Sequence, residues 1–224
     1  MGQAIGGILP LALGVVIGVL PVIAIILILI TPRARSNGGA FVAGWVLGLV
    51  VVGGVVLVIA NAAGVSGSSG PSTAAYAIKL ALGVLFLLLA AKQWRSRPGP
   101  GEPSPAPKWM TALDSFGSGK SLGLGAALSG LNPKNLVLAI AAAVSVAQTG
   151  LPGGQQAAVL AVFIVLGSVT VGAPLVIYLA MGPKAAGILE GWRTWLAGNN
   201  AAIMLVLFLV FGVLLVGQGI AGLS

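Results

Sequence analysis

Four stretches of the chain, 1–32, 36–78, 135–183 and 194–224, carry no charged side chain and are dominated by Ala, Val, Leu, Ile and Gly. A bilayer core needs about 20 apolar helical residues to cross it. The first and last stretches each hold one such span. The two middle stretches are longer, and each contains a break. The first break runs from Asn61 to Thr73 and is rich in Gly, Ser and Pro. The second runs from Gln148 to Gln156 and includes Pro152, Gly153 and Gly154. A further helix fits between the first break and a basic linker. The pattern therefore predicts six spans, at about 8–30, 40–60, 74–91, 122–147, 157–180 and 199–217. The first is too long in its apolar core, and lacks the basic leading region, for a cleaved signal peptide.

Composition changes the picture from soluble to membrane. Only 6% of the residues are charged and 58% are hydrophobic, whereas a soluble domain carries about 25% charge. The 35 glycines and 13 prolines would count against helices in water. In a bilayer, glycine permits close helix packing and neighbours accommodate proline. Gly44, Gly48, Gly53 and Gly54 suit close approach of span two to another helix, without naming which. The net charge of +8 comes from scarce acids, not from dense basic patches, so nucleic-acid binding is not expected. Cysteine and histidine are absent, which removes thiol chemistry, imidazole acid–base chemistry and Cys/His metal sites. No metal, cofactor or nucleotide motif is visible, and an enzyme is the least expected class.

The basic residues set an orientation. Arg33 and Arg35 follow span one; Lys92, Arg95, Arg97, Lys108 and Lys120 lie between spans three and four; Lys184 and Arg193 lie between five and six. These nine of the eleven basic residues fall in alternate loops. The positive-inside rule places those loops in the cytoplasm and both termini outside. Trp94, Trp109, Trp192 and Trp195 suit the headgroup region beside them. The linker is proline-rich from Pro98 to Pro107 and reads as a tether. Trp109 to Phe116 reads as a short interfacial helix, an anchor or a gate.

Three spans precede the linker and three follow it, so the halves enter the membrane in opposite senses. The chain divides into a first three-helix repeat (1–91), the linker (92–120) and a second three-helix repeat (121–224). Span one contains Gly18-Val-Leu-Pro21 and span four Gly130-Leu-Asn-Pro133, with the two prolines 112 residues apart. Both lie deep in their helices, where proline frees a carbonyl that hydrocarbon cannot satisfy. Paired interrupted helices of this kind point to a transporter site at the midplane. The expected fold is an all-α polytopic membrane protein, with six helices in a 3+3 inverted-topology repeat and broken or kinked helices one and four.

Asn132-Pro133-Lys134-Asn135 is the sharpest local feature. An ionisable residue inside an apolar span is costly and marks function. Carbonyls freed at Pro21 or Pro133, a water-filled cavity or an anionic substrate would each meet the cost of Lys134; a purely structural role at a kink is the alternative. No acid falls within a predicted span, so an anionic or zwitterionic group suits the site. The candidate substrate-binding residues are Pro21, Asn132, Pro133, Lys134 and Asn135. Gly18, Gly130, Lys79, Pro174 and Tyr178 are candidates to line a cavity. Lys79 sits near the outer end of span three, where its stem reaches the headgroups. Gly172-Ala-Pro174 suggests a kink in span five, and Asn199 and Asn200 read as a cap opening span six.

The six-span plan, the Leu131-Asn-Pro-Lys-Asn135 motif and Pro21 at the matching depth resemble the LysE superfamily of exporters. That superfamily has a proline-rich motif in its first span, of which this chain keeps only Leu20-Pro21-Val22. The proline-rich linker and the Ala/Gly/Val-heavy composition resemble the actinobacterial GAP/Sap branch, the peptidoglycolipid and sulfolipid addressing proteins. The resemblance implies export or flipping of a cell-envelope glycolipid or phospholipid across the cytoplasmic membrane, alone or alongside a larger lipid exporter. This agrees with the residues if the lipid has an anionic headgroup. A small amino-acid or metabolite exporter and a non-transporting accessory subunit remain the alternatives. A homodimer is compatible with the sequence but not established by it.

Overall fold

The computed structural model describes residues 1–67, 70–71, 73–96 and 116–223. Nearly all of them are helical. In order they form α1 (Gly2–Val16), α2 (Val19–Leu29), α3 (Ala34–Ala62), a two-residue ribbon of β1 (Ser66–Gly67) and β2 (Gly70–Pro71), α4 (Thr73–Arg95), α5 (Ser118–Gly130), α6 (Pro133–Ala147), α7 (Gly153–Met181) and α8 (Ala186–Leu223). The linker's proline-rich segment and the expected helix at Trp109 lie outside the described residues.

Among the described residues, three continuous helical stretches are long and apolar enough to cross a membrane: Ala34–Ala62, Thr73–Arg95 and Gly153–Leu223. The last comprises α7 and α8, joined by a 3-10 turn over Gly182–Ala185. Gly182 takes φ 58° and ψ −139° there, a conformation that only glycine adopts easily. Two bent pairs raise the number of spans to as many as five: α1 with α2, at 53°, and α5 with α6, at 63°. Helices one and four of the sequence reading are thus each two half-helices.

Burial explains the arrangement. Helix α2 is apolar all round, α6 is apolar from Leu136 onward except for Ser145, and most residues of both are buried. A helix of that kind must be covered by others. The longer helices do the covering and turn apolar residues outward: Val51, Val55 and Val58 on α3, Leu88 on α4, Val165 and Val176 on α7, Val206 and Val213 on α8. Such faces suit lipid rather than water. α4 packs along α8, α3 along α5, and α1 along α7. The glycine spacing in α3 meets α5: a Cβ on Gly44 would run into the carbonyl oxygen of Leu122, and one on Gly125 into that of Phe41. Only glycine lets these two backbones touch.

Two expectations need correction. Asn199 and Asn200 cap nothing; they sit inside α8, where the Asn199 amide donates to the Trp195 carbonyl one turn back (2.8 Å). Pro174 lies inside α7, which continues through it to Met181. Lys79 does not reach out of the bundle: it is buried on α4, at 8% exposure.

Candidate functional site

The break between α5 and α6 closes itself. Asn132 takes an extended conformation (φ −67°, ψ 122°), and its side-chain oxygen accepts from the Lys134 backbone N–H at 3.0 Å. Pro133 follows as the first helical residue, where its missing N–H costs nothing. The Asn135 amide reaches back and donates to the Leu128 carbonyl at the end of α5, at 2.9 Å. The Asn-Pro-Lys-Asn motif thus caps both half-helices from one side. The Asn135 side-chain oxygen is buried and has no partner among the described residues.

The break between α1 and α2 has no such means, because no residue from Ala4 to Ile30 carries a polar side chain. Ile17 (φ −76°, ψ 61°) makes an inverse γ-turn, in which the Gly18 N–H donates to the Val16 carbonyl at 2.8 Å. α2 then starts at Val19, with Pro21 in its first turn. A continued helix would pair the N–H of residue 21 with the Ile17 carbonyl, and proline has none. Pro21 therefore starts a half-helix instead of kinking a whole one.

The carbonyls left open are met by the second half of the chain. The Lys134 ammonium donates to the carbonyls of Gly14 (2.8 Å), Val15 (3.3 Å) and Ile17 (3.1 Å). Thr170 on α7 donates its hydroxyl proton to Val16 at 2.7 Å. The last four carbonyls of a helix have no partner within it, and their partial charge is negative. A cation on α6 and a hydroxyl on α7 answer all of them at the end of α1.

The structure thus brings Pro21, Asn132, Pro133 and Lys134 into one assembly across the two breaks. Lys134 is 4% exposed, and an ammonium has three protons to give. All three face carbonyls, so an anion reaches this nitrogen only if it leaves at least one of them. Gly18 is the residue that opens α2. Gly130 ends α5 and faces Val52 and Gly48 of α3. Pro174 and Tyr178 lie one and two turns beyond Thr170 on the same side of α7. Lys79 has no hydrogen-bond partner among the described residues. Among those residues the one acidic side chain, Glu190, is paired with Arg193 at the exposed start of α8.

Sequence reasoning missed Thr170, since a threonine in an apolar span gives no separate signal. It also missed two polar ties between helix ends. Asn37 at the start of α3 donates to the Phe116 carbonyl just before α5 (2.8 Å), and Ser36 meets Ser118 at 2.5 Å. Asn61 at the end of α3 donates to Gln156 on α7 at 2.7 Å. No group of His, Cys, Asp or Glu among the described residues is placed to hold a metal ion.

No curated protein and no solved structure matches the chain. The family model described as SfLAP, Sap, sulfolipid-1-addressing protein, matches residues 8–221. That range takes in both breaks, Lys134 and Thr170, and this membrane protein belongs to the Sap, sulfolipid-1-addressing protein, family.

Proposed function

We propose that the chain exports or flips a cell-envelope lipid with an anionic headgroup across the cytoplasmic membrane, alone or within a larger export system. Membership of the family supports a role in addressing an envelope lipid across the membrane, a transport role and not a catalytic one. The observation that carries the finer reading is Lys134. It is a buried cation, set between two helix breaks, with no carboxylate in the described interior to neutralise it. A headgroup phosphate or sulfate would take the ammonium from the carbonyls of α1, with the amides of Asn132 and Asn135 beside it.

The same reading has six spans in two inverted repeats, 1–91 and 121–224, with both termini outside. Two features support it. Each bent pair opens its half of the chain, and each break lies close to a G-x-x-P. Exchanging the halves also turns the α3–α5 contact into α7–α1 and leaves α4–α8 unchanged, and all three packings are present.

The test is mass-spectrometric lipid analysis of protein extracted gently from its native membrane, comparing wild type, Lys134→Ala and Thr170→Val. The expected result is one anionic lipid enriched on wild type and Thr170→Val and lost from Lys134→Ala. Bulk lipid alone on all three overturns the reading and favours an exporter of soluble metabolites or an accessory subunit. The accessory role would then show as a tightly co-purifying partner.

A further inference from the structure

We propose that the carboxyl end of α1 is a site for a large monovalent cation, and that the Lys134 ammonium is its built-in occupant. Half-helix carboxyl ends and unwound carbonyls are the groups with which discontinuous transporter helices hold coupling cations. Here the carbonyls of Gly14, Val15 and Ile17 converge on one nitrogen, and Thr170 fixes the fourth, that of Val16. They come from one short segment with its own local turn. The γ-turn at Ile17 and the missing N–H of Pro21 hold the oxygens out of helical bonding.

The chemistry of the cage selects its guest. Every ligand is a neutral oxygen, and no carboxylate takes part, so a single positive charge fits and a double one does not. The contacts of 2.8 to 3.3 Å exceed the roughly 2.0–2.6 Å that magnesium and calcium require. Ammonium, methylammonium and the larger alkali ions remain. The wild-type protein is then indifferent to these ions, because its own side chain fills the place. This inference does not depend on what the protein carries: it reads the state of the break, whereas the lipid reading stands or falls on bound headgroup.

The experiment measures the thermal stability of wild type and Lys134→Ala in lipid nanodiscs. Each is titrated with methylammonium, ammonium or potassium chloride against N-methylglucamine chloride at equal ionic strength. The expected result is a lower Tm for Lys134→Ala that rises saturably, by several degrees, with the small cations alone. Wild type stays within a degree across the same series. Lys134→Gln, which keeps amide donors but no charge, is carried in parallel. It is expected to respond in the same direction with a smaller amplitude. Should Lys134→Ala not accumulate in the membrane, its accumulation in cells grown with and without methylammonium becomes the readout, and recovery is expected. A flat titration of both variants, an equal response of wild type, or no accumulation of either variant under any cation overturns the proposal.

Discussion

The two broken helices solve one problem in opposite ways. The α5–α6 break lies in a segment with polar residues and bonds its two ends to each other within eight positions, from Leu128 to Asn135. The α1–α2 break lies in a segment with none: Val16 accepts from Gly18 within the turn, and the carbonyls of Gly14, Val15 and Ile17 depend on the side chain at position 134, with Thr170 adding a second donor to Val16. One break draws its side-chain bonds from its own segment; the other draws them from the distant half of the chain. The difference shows that Lys134 does structural work at the first break although it belongs by sequence to the second. Any role with a substrate is added to that work.

The comparison can be broken most severely at Lys134. Lys134→Ala takes the donor from the buried carbonyls of Gly14 and Val15, at about 1 kcal/mol or more each, and from that of the more exposed Ile17. We expect a loss of roughly 2 kcal/mol or more by that count, read as thermal or denaturant unfolding in nanodiscs. Asn132→Ala removes the cap of α6 and is expected to cost about 1 kcal/mol. Hydrogen exchange should then rise in the first turn of α6 and not at residues 14–18, which separates the two breaks. Thr170→Val removes one donor from Val16, which still accepts from Gly18, and is expected to cost about 0.5–1 kcal/mol. Combined with Lys134→Ala it should be less than additive, because both side chains hold the same helix end. Gly18→Asn supplies a side-chain acceptor at the start of α2, worth only a few tenths of a kcal/mol, while its Cβ would come 3.2 Å from the Val15 carbonyl oxygen, so a small net loss is expected. It does not donate to the α1 carbonyls in that role, so it should not reduce the effect of Lys134→Ala. A clear rescue by Gly18→Asn would mean that the first break lacked an amino-end cap rather than a cation.

Much of this was legible in the chain. Charge-free stretches gave the helices, because a bilayer tolerates little else. The two G-x-x-P sequences gave the broken pairs, because a proline deep in an apolar helix has few other readings. Asn132 and Pro133 fit the ordinary rules for a helix start, but the sequence reading ran span four from 122 to 147 across them and gave Asn132 to a substrate. The matching prolines nevertheless hide a shift: Pro133 is the first residue of α6, whereas α2 begins two residues before Pro21. Local backbone geometry set that offset, and residue identity does not encode it. The partner of Lys134 was named only among alternatives, since any residue carries a carbonyl and none advertises that it is open. Thr170 stayed invisible for the same reason. Asn199 misled because a short amide side chain serves a helix start and a helix interior alike, and the apolar pattern did not reveal that α8 begins at Ala186.

The dependence of the first break on distant residues has a consequence for biogenesis. The chain enters the membrane from its amino end, so α1 and α2 are threaded in before Lys134 and Thr170 have been synthesised. During that interval the carbonyls of Gly14 to Ile17 need a temporary partner: water held in the insertion machinery, a lipid headgroup, or a straighter and unfinished form of the helix. The bend between α1 and α2 has its local causes in Ile17 and Pro21, but its carbonyls find their final partners late, when the second half arrives and carries its ammonium into the first.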